Sequence, residues 1–340
     1  MLTFPCVISW PFPAIAAPDD APIDFAAIGS PILFRGDAVT AYRDPAAIYH
    51  EGVFHLYFTV CRMEPEGAFW HLGSSRSRDL RRWTEPELLT PRDRRLNFSS
   101  PGNVIRFGGR WVLCLQTYPT PNNETFGAGD ARIWIIRSDD LRHWSEPALL
   151  RVKGPDVPRA EMGRMIDPYL FEDKDVPGRW WCFYKQNGVS MSRSRDLETW
   201  TYVGRRPAGE NACVLVDGDE YVLLHSPRNG VGFKRSGDLD AWRDEGPPLT
   251  LGQSDWPWSQ GRLTAAAVLD LRREPRVGRY LMFFHGSTRR GLQAHAAHGR
   301  ASLALAWSDD LKTWSWPGKL EAWGGGEGGS APSRTPSARN

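Results

Sequence analysis

The sequence predicts an all-β chain, a five-bladed β-propeller with four antiparallel strands in each blade. Three observations carry that prediction. The pattern Ser-x-Asp-Leu-x-x-Trp occurs five times, at residues 77–83, 138–144, 194–200, 236–242 and 308–314. A seven-residue pattern returning at roughly 40–70-residue intervals is the signature of a repeat architecture. Each copy follows short runs rich in aromatic and β-branched residues, the composition of strands. No stretch of useful length shows the 3.6-residue periodicity of a helix. Four short strands per unit, repeated around an axis, make a propeller blade.

In chain order, residues 1–40 are a Pro- and Ala-rich lead-in expected to pack on the outside of the propeller. Residues 41–322 form the propeller, and the Gly- and Ser-rich residues 323–340 a disordered tail. Blade 1 is expected to take strands at 44–52, 53–60 and 70–77, with Trp83 opening an outer fourth. Blade 2 takes 100–109, 110–117 and 132–137; blade 3 takes 167–171, 179–185 and 188–192. Blade 4 takes 210–216, 220–225 and 231–235, and blade 5 takes 263–269, 279–285 and 302–307. Within the repeated pattern the Ser and Asp side chains can hold a turn by bonding nearby backbone N–H groups. Leu and Trp then fill the gap between adjacent blades. The pattern is scaffold, because a function residing in it would have to be five-fold.

Composition excludes several classes. The formal net charge is +2 and the basic residues are scattered among acidic ones, so a nucleic-acid surface, which shows a basic patch or stripe, is not expected. No apolar run reaches the ~18 residues of a membrane helix. Sixteen Trp and nine Tyr either pack between sheets or form platforms for sugar faces. The five cysteines (Cys6, Cys61, Cys114, Cys182 and Cys213) show no C-x-x-C spacing. Cys114 and Cys182 sit in apolar strands and read as core residues. Free thiols suit a reducing compartment and hence the cytoplasm. Export is the alternative if residues 1–18 are a signal peptide, but they lack a basic start and are broken by Pro5, Pro11 and Pro13.

In a propeller the innermost strand of each blade lines the central channel. The expected starts of these strands carry Asp44, Ser100, Asp167, Glu210 and Arg262. Three carboxylates converging on one narrow channel repel one another and lose hydration, which a scaffold would not select. An Asp-Pro pair by itself merely starts a strand with a turn. Together the three acids point to cleavage of a glycosidic bond, in which one carboxylate attacks or activates water and another protonates the leaving oxygen.

The succession Arg43-Asp44-Pro45, Phe98-Ser-Ser, Ile166-Asp167-Pro168 and Gly209-Glu210-Asn211, with the Asp-Leu-x-x-Trp repeat, resembles the five-bladed glycoside hydrolases of families 43, 62, 32 and 68. The resemblance covers residues 40 to 316. It implies action on furanosides such as arabinofuranosides and fructofuranosides. It implies that Asp44 is the general base or nucleophile, that Asp167 modulates the acid or binds substrate hydroxyls, and that Glu210 is the general acid. The chain departs from the fructosidases: their Trp-Met-Asn-Asp-Pro-Asn is Ala41-Tyr-Arg-Asp-Pro-Ala here, their Glu-Cys is Glu210-Asn211, and no C-terminal β-sandwich follows blade 5.

Further expected substrate-binding residues are Arg43 and Arg262, which can orient a carboxylate or grip an anionic sugar, and His225 and His285 at second-strand ends. Ser100 belongs to the same set. Trp256, in the loop before blade 5, either stacks on a sugar or packs between blades. The insertion at 122–126 overhangs the channel mouth. No metal ligands have recognisable spacing, since His295 and His298 lack a partner set. No cofactor is required, although a structural cation near the channel axis is possible. The expected partner is a carbohydrate, with the oligomeric state left open. Two alternatives stand beside the hydrolase: a phosphorylase or transglycosylase, which needs an anion-binding cluster in the funnel that Arg43, Lys185, Arg262 and His285 could make, and a non-catalytic glycan-binding propeller.

Overall fold

Each copy of the repeated pattern folds as the same turn. In the third copy the Ser194 hydroxyl oxygen accepts from the N–H groups of Asp196 and Leu197 at 3.2 and 3.0 Å. The Asp196 carboxylate accepts from Glu198 and Thr199 N–H at 2.9 and 2.7 Å. Trp200 Nε1 donates to the Leu197 carbonyl at 3.1 Å. The pattern's Leu adopts a left-handed φ in all five copies, between 57° and 66°, a conformation that costs a non-glycine residue roughly 1–2 kcal/mol. The side-chain hydrogen bonds and the burial of Leu80, Leu141, Leu197, Leu239 and Leu311 between blades offset that cost.

The computed structural model describes residues 21–124, 126–289 and 300–318. Strand β1 (Ile32–Phe34) precedes the first blade. Blade 1 is β2 (Thr40–His50), β3 (Val53–Glu64), β4 (Gly67–Ser77) and β5 (Glu87–Leu88). Blade 2 is β6 (Phe98–Ser99), β7 (Val104–Phe107), β8 (Arg110–Thr117), β9 (Ile133–Ser138) and β10 (Ala148–Leu149). Blade 3 is β11 (Ile166–Glu172), β12 (Trp180–Lys185), β13 (Val189–Ser194) and β14 (Thr201–Arg206). Blade 4 is β15 (Glu210–Asp217), β16 (Glu220–Ser226), β17 (Gly232–Ser236) and β18 (Arg243–Asp244). Blade 5 is β19 (Arg262–Leu271), β20 (Arg279–Ser287), β21 (Ser302–Ser308) and β22 (Trp314–Ser315). All pairings are antiparallel between neighbours, so the fold is the five-bladed propeller of the prediction.

Two features differ from the expected elements. The innermost strand of blade 2 is split into β6 and β7, both paired with β8. Between Ser99 and Val104 it has two more residues than its partner needs, and the ladder opens there. In addition β1 joins the outer side of blade 5 through β21. There Phe34 meets Tyr42, Phe58 and Trp83 of blade 1 at ring distances of 5.6, 5.1 and 6.2 Å. The segment before blade 1 therefore bridges the last blade to the first.

The core is a ring of inter-blade layers: blades 5 and 1 share one cluster, 1 and 2 another, 2 and 3 a third, and blades 3, 4 and 5 the largest. Cys61, Cys114, Cys182 and Cys213 are buried. Burial pushes the Cys114 thiol up to about 12, as befits an inert core residue. Cys6, His295, His298 and the tail from 323 lie outside the described residues.

Candidate active site

The functional residues sit on a repeated irregularity of the innermost strands. In blades 1, 3, 4 and 5 the register between first and second strand shifts by a bulge, between Arg43 and Ala46, Ile166 and Tyr169, Glu210 and Cys213, and Thr264 and Ala267. The first bulged residue has a left-handed φ in each case: Asp44 46°, Asp167 52°, Asn211 52° and Ala265 56°, with Ser100 at 41° in the break of blade 2. These five residues form a ring around the axis. Asp44 therefore lies within its strand rather than at its start. Glu210 and Arg262 are not ring members; Asn211 and Ala265 occupy those places, and Glu210 precedes the ring by one residue.

A bulge frees a backbone N–H from the ladder, and a buried one requires another acceptor. The preceding blade supplies it from its second strand. Thr59 accepts from Ser100 N–H at 2.8 Å, Gln116 from Asp167 N–H at 2.6 Å, and Ser226 from Ala265 N–H at 2.8 Å. His285 Nδ1 accepts from Asp44 N–H at 3.1 Å and closes the circle. Blade 3 has Lys185 at this place, which has no acceptor; its ammonium instead binds Glu210 Oε2 at 3.0 Å.

These arrangements bring Arg43, Asp44, Ser100, Asp167, Glu210 and Arg262 to the wall of one cavity of about 420 Å³. The ring and its neighbours enclose a further space of only about 20 Å³ next to this cavity. Asp44 and Asp167 lie at its floor, 6% and 7% exposed, whereas the Glu210 side chain keeps 24%. Glu210 is thus the carboxylate nearest solvent. Thr59 donates to Asp44 Oδ2 at 3.1 Å, and Arg262 donates to Glu210 Oε1 at 2.7 Å.

The acids are treated differently. Burial, together with the negative charges of Glu210 and Asp44, pushes Asp167 up to about 7. Burial acts on Glu210 in the same sense, but the charges and hydrogen bonds of Arg262 and Lys185 outweigh it and hold the carboxyl below its usual range. Below about pH 7 a proton therefore resides on Asp167 while Glu210 stays ionised to lower pH.

Three expected contacts fall elsewhere. His285 is fully buried beneath Asp44 and does not reach the cavity. Burial, with Arg43 and Arg262 nearby, drives its pKa well below the usual value. Since Nδ1 accepts, the proton of the neutral ring is on Nε2, which presents a donor rather than a lone pair. That arrangement does not fit a cation on this ring, and among the described residues no group of three His, Cys, Asp or Glu is placed to hold a metal. His225 turns into blade 4, where Nδ1 accepts from Gly209 N–H at 2.9 Å. Trp256 stacks on Trp258 at 5.1 Å and Phe284 at 6.2 Å, with Trp316 edge-on, so its faces are spent on packing.

Sequence reasoning reached Lys185 and the 122–126 insertion but passed over Trp70, Tyr118 and Arg164 in the outer wall. Trp70 and Tyr118 stack at 4.8 Å and 27° and line the cavity with Phe126, Arg164 and Lys185. Phe126 is 70% exposed at the mouth. The one sequence signal for Arg164 is its place three residues before Asp167, near the position of Arg43 before Asp44.

The five-bladed propeller of this chain is the fold of several solved glycoside hydrolases. A thermostable family-43 glycoside hydrolase matches it with a TM-score of 0.57 at 16% identity, over 86% of this chain and 97% of that one. The catalytic domain of the GH62 α-L-arabinofuranosidase from Coprinopsis cinerea gives 0.59 at 14% identity, over 81% and 94%. A GH43 β-1,3-galactosidase with galactodeoxynojirimycin gives 0.57 at 13% identity, over 85% and 99%. No protein-family model and no curated protein matches the sequence.

Proposed function

We propose that this chain is a glycoside hydrolase acting on a furanoside, with an arabinofuranoside the first substrate to assay. The observation that carries this reading is the opposite treatment of neighbouring carboxyls in one cavity. Asp167 keeps a proton up to about pH 7 while Glu210 is ionised, and divided roles of this kind are what acid–base cleavage of a glycoside needs. The fold shared with the arabinofuranosidase catalytic domain supports the reaction class and the sugar.

Asp44, held by Thr59 on the floor, is the base or nucleophile. Asp167 and Glu210 hold one proton between them. Glu210, nearest the mouth, faces the side from which a leaving group departs, and delivers the proton once Lys185 and Arg262 turn from it to substrate hydroxyls. Without that exchange of partners Asp167 is the donor. The rate should fall above about pH 7, as the shared proton is lost.

The test compares wild type, Glu210→Gln and Asp167→Asn on aryl arabinofuranosides with poor and activated leaving groups. Loss of orders of magnitude on the poor leaving group, recovered on the activated one, identifies the acid. If Glu210→Gln and Asp167→Asn both retain wild-type rates, the assignment of the acid fails; if wild type turns over no glycoside while sugars bind, the hydrolase reading fails and the non-catalytic propeller replaces it.

A further inference from the structure

The cavity carries more positive charge than its acids require. Lys185 and Arg262 are engaged with Glu210 at 3.0 and 2.7 Å. Arg43 and Arg164 line the same cavity, and neither is within ion-pair distance of a carboxylate among the described residues. Arg43 lies over the Trp70 ring at 5.5 Å, and its Nε is buried with no hydrogen-bond partner. Arg164 lies over the Tyr118 ring at 5.5 Å, and its Nε donates to the Gly127 carbonyl at 3.1 Å. Trp70 and Tyr118 are themselves stacked, so the two guanidinium groups flank one aromatic wall. Four cations thus line a cavity that holds three carboxylates.

A wall of this kind is poorly matched to a neutral sugar. A guanidinium without an ion pair on the wall of a half-enclosed space favours an oxyanion, which it can take by a charge-assisted hydrogen bond. We propose that Arg43 and Arg164 form an oxyanion site in the cavity, taking a carboxylate carried by an acidic sugar of the substrate or a phosphate that enters beside it. The proposal deepens the glycosidase reading and rests on it for the location of the scissile bond.

The test separates the two readings by measuring binding without turnover. Wild-type protein is titrated calorimetrically with D-galacturonate, D-glucuronate, the neutral sugars D-galactose and D-glucose, and inorganic phosphate. At least one of the anions should bind ten-fold or more tighter than the neutral sugars, and its binding should weaken as salt is raised. Arg43→Gln and Arg164→Gln should each remove most of that preference without changing the melting temperature by more than a few degrees. Arg43→Lys and Arg164→Lys should retain part of it. A uronate preference places the charge on the substrate; a phosphate preference, with turnover accelerated by phosphate, makes the anion a glycosyl acceptor. Equal binding of anions and neutral sugars, or an anion preference that survives in both glutamine variants, overturns the site. Hydrolysis of a neutral aryl arabinofuranoside that depends on Glu210, found together with that result, leaves the glycosidase standing alone. Anion binding lost in the arginine variants, found without any hydrolysis, does the reverse.

Discussion

Asp167 joins stability to chemistry at a single residue. Its carboxyl is raised from 3.8 to about 7 by burial first and by the charges of Glu210 and Asp44 second. Between those values the folded chain holds a proton that the unfolded chain has released, so this residue's contribution makes stability fall as pH rises. Glu210 acts in the opposite sense: its depressed folded value stabilises above its ordinary range and is lost on acidification. Asp167→Asn keeps the shape and removes the charge. It should leave stability near wild type at about pH 4 and raise it at about pH 8, by on the order of a few kcal/mol. Denaturant unfolding at the two pH values checks this, and parallel pH dependence in both proteins would contradict it. The Asp44 floor was readable from the sequence because Asp-Pro recurs in blades 1 and 3. The companion position in blade 4 was not, since Gly209-Glu210-Asn211 offers two polar candidates and the bulge alone selects Asn211 for the ring.

The seven-residue turn, taken as an element, is legible almost whole. Its Ser, Asp, Leu and Trp bond within seven residues of one another, so local chemistry specifies it. Ser194→Ala leaves the N–H groups of Asp196 and Leu197 without their side-chain acceptor and should cost about 1–3 kcal/mol. Activity should not change, because this turn is no part of the cavity. Thermal melts beside an activity assay decide the matter, and a loss of activity at unchanged stability would contradict a scaffold role. One copy varies: in blade 2 the Leu141 carbonyl takes the hydroxyl of Tyr57, from blade 1, at 2.8 Å. The inner-strand bulges are an element of another kind. Their freed N–H groups are satisfied from the neighbouring blade, so Thr59, Gln116, Ser226 and His285 have partners that no local pattern reveals. His285 resembled a ligand residue at a strand end for that reason, and is instead the support beneath Asp44.

Across the whole molecule the ring must close between blade 5 and blade 1, and the segment before blade 1 takes part. Strand β1 pairs with β21, Phe25 packs on Trp307 at 4.9 Å, and Phe34 bridges to Tyr42, Phe58 and Trp83. Phe34→Ala should destabilise the fold by about 2–4 kcal/mol, somewhat below a fully buried Phe because this ring is half-buried. Urea unfolding should show one shifted transition; a separate early transition for blade 1 would mean that closure does not couple the blades. The sequence by itself determined the number of blades, their strand order, the turn that ends each one and the two Asp residues of the ring with Glu210 beside it, because these are written in patterns of residues near in the chain. Tertiary structure alone decided that Asp44 rests on His285, 241 residues away. It alone placed Lys185 and Arg262 on Glu210, and Arg43 and Arg164 without acids across the cavity. Closing five blades into a circle brings together residues that have no sequence relation, and the charges they meet there set which carboxyl holds the proton.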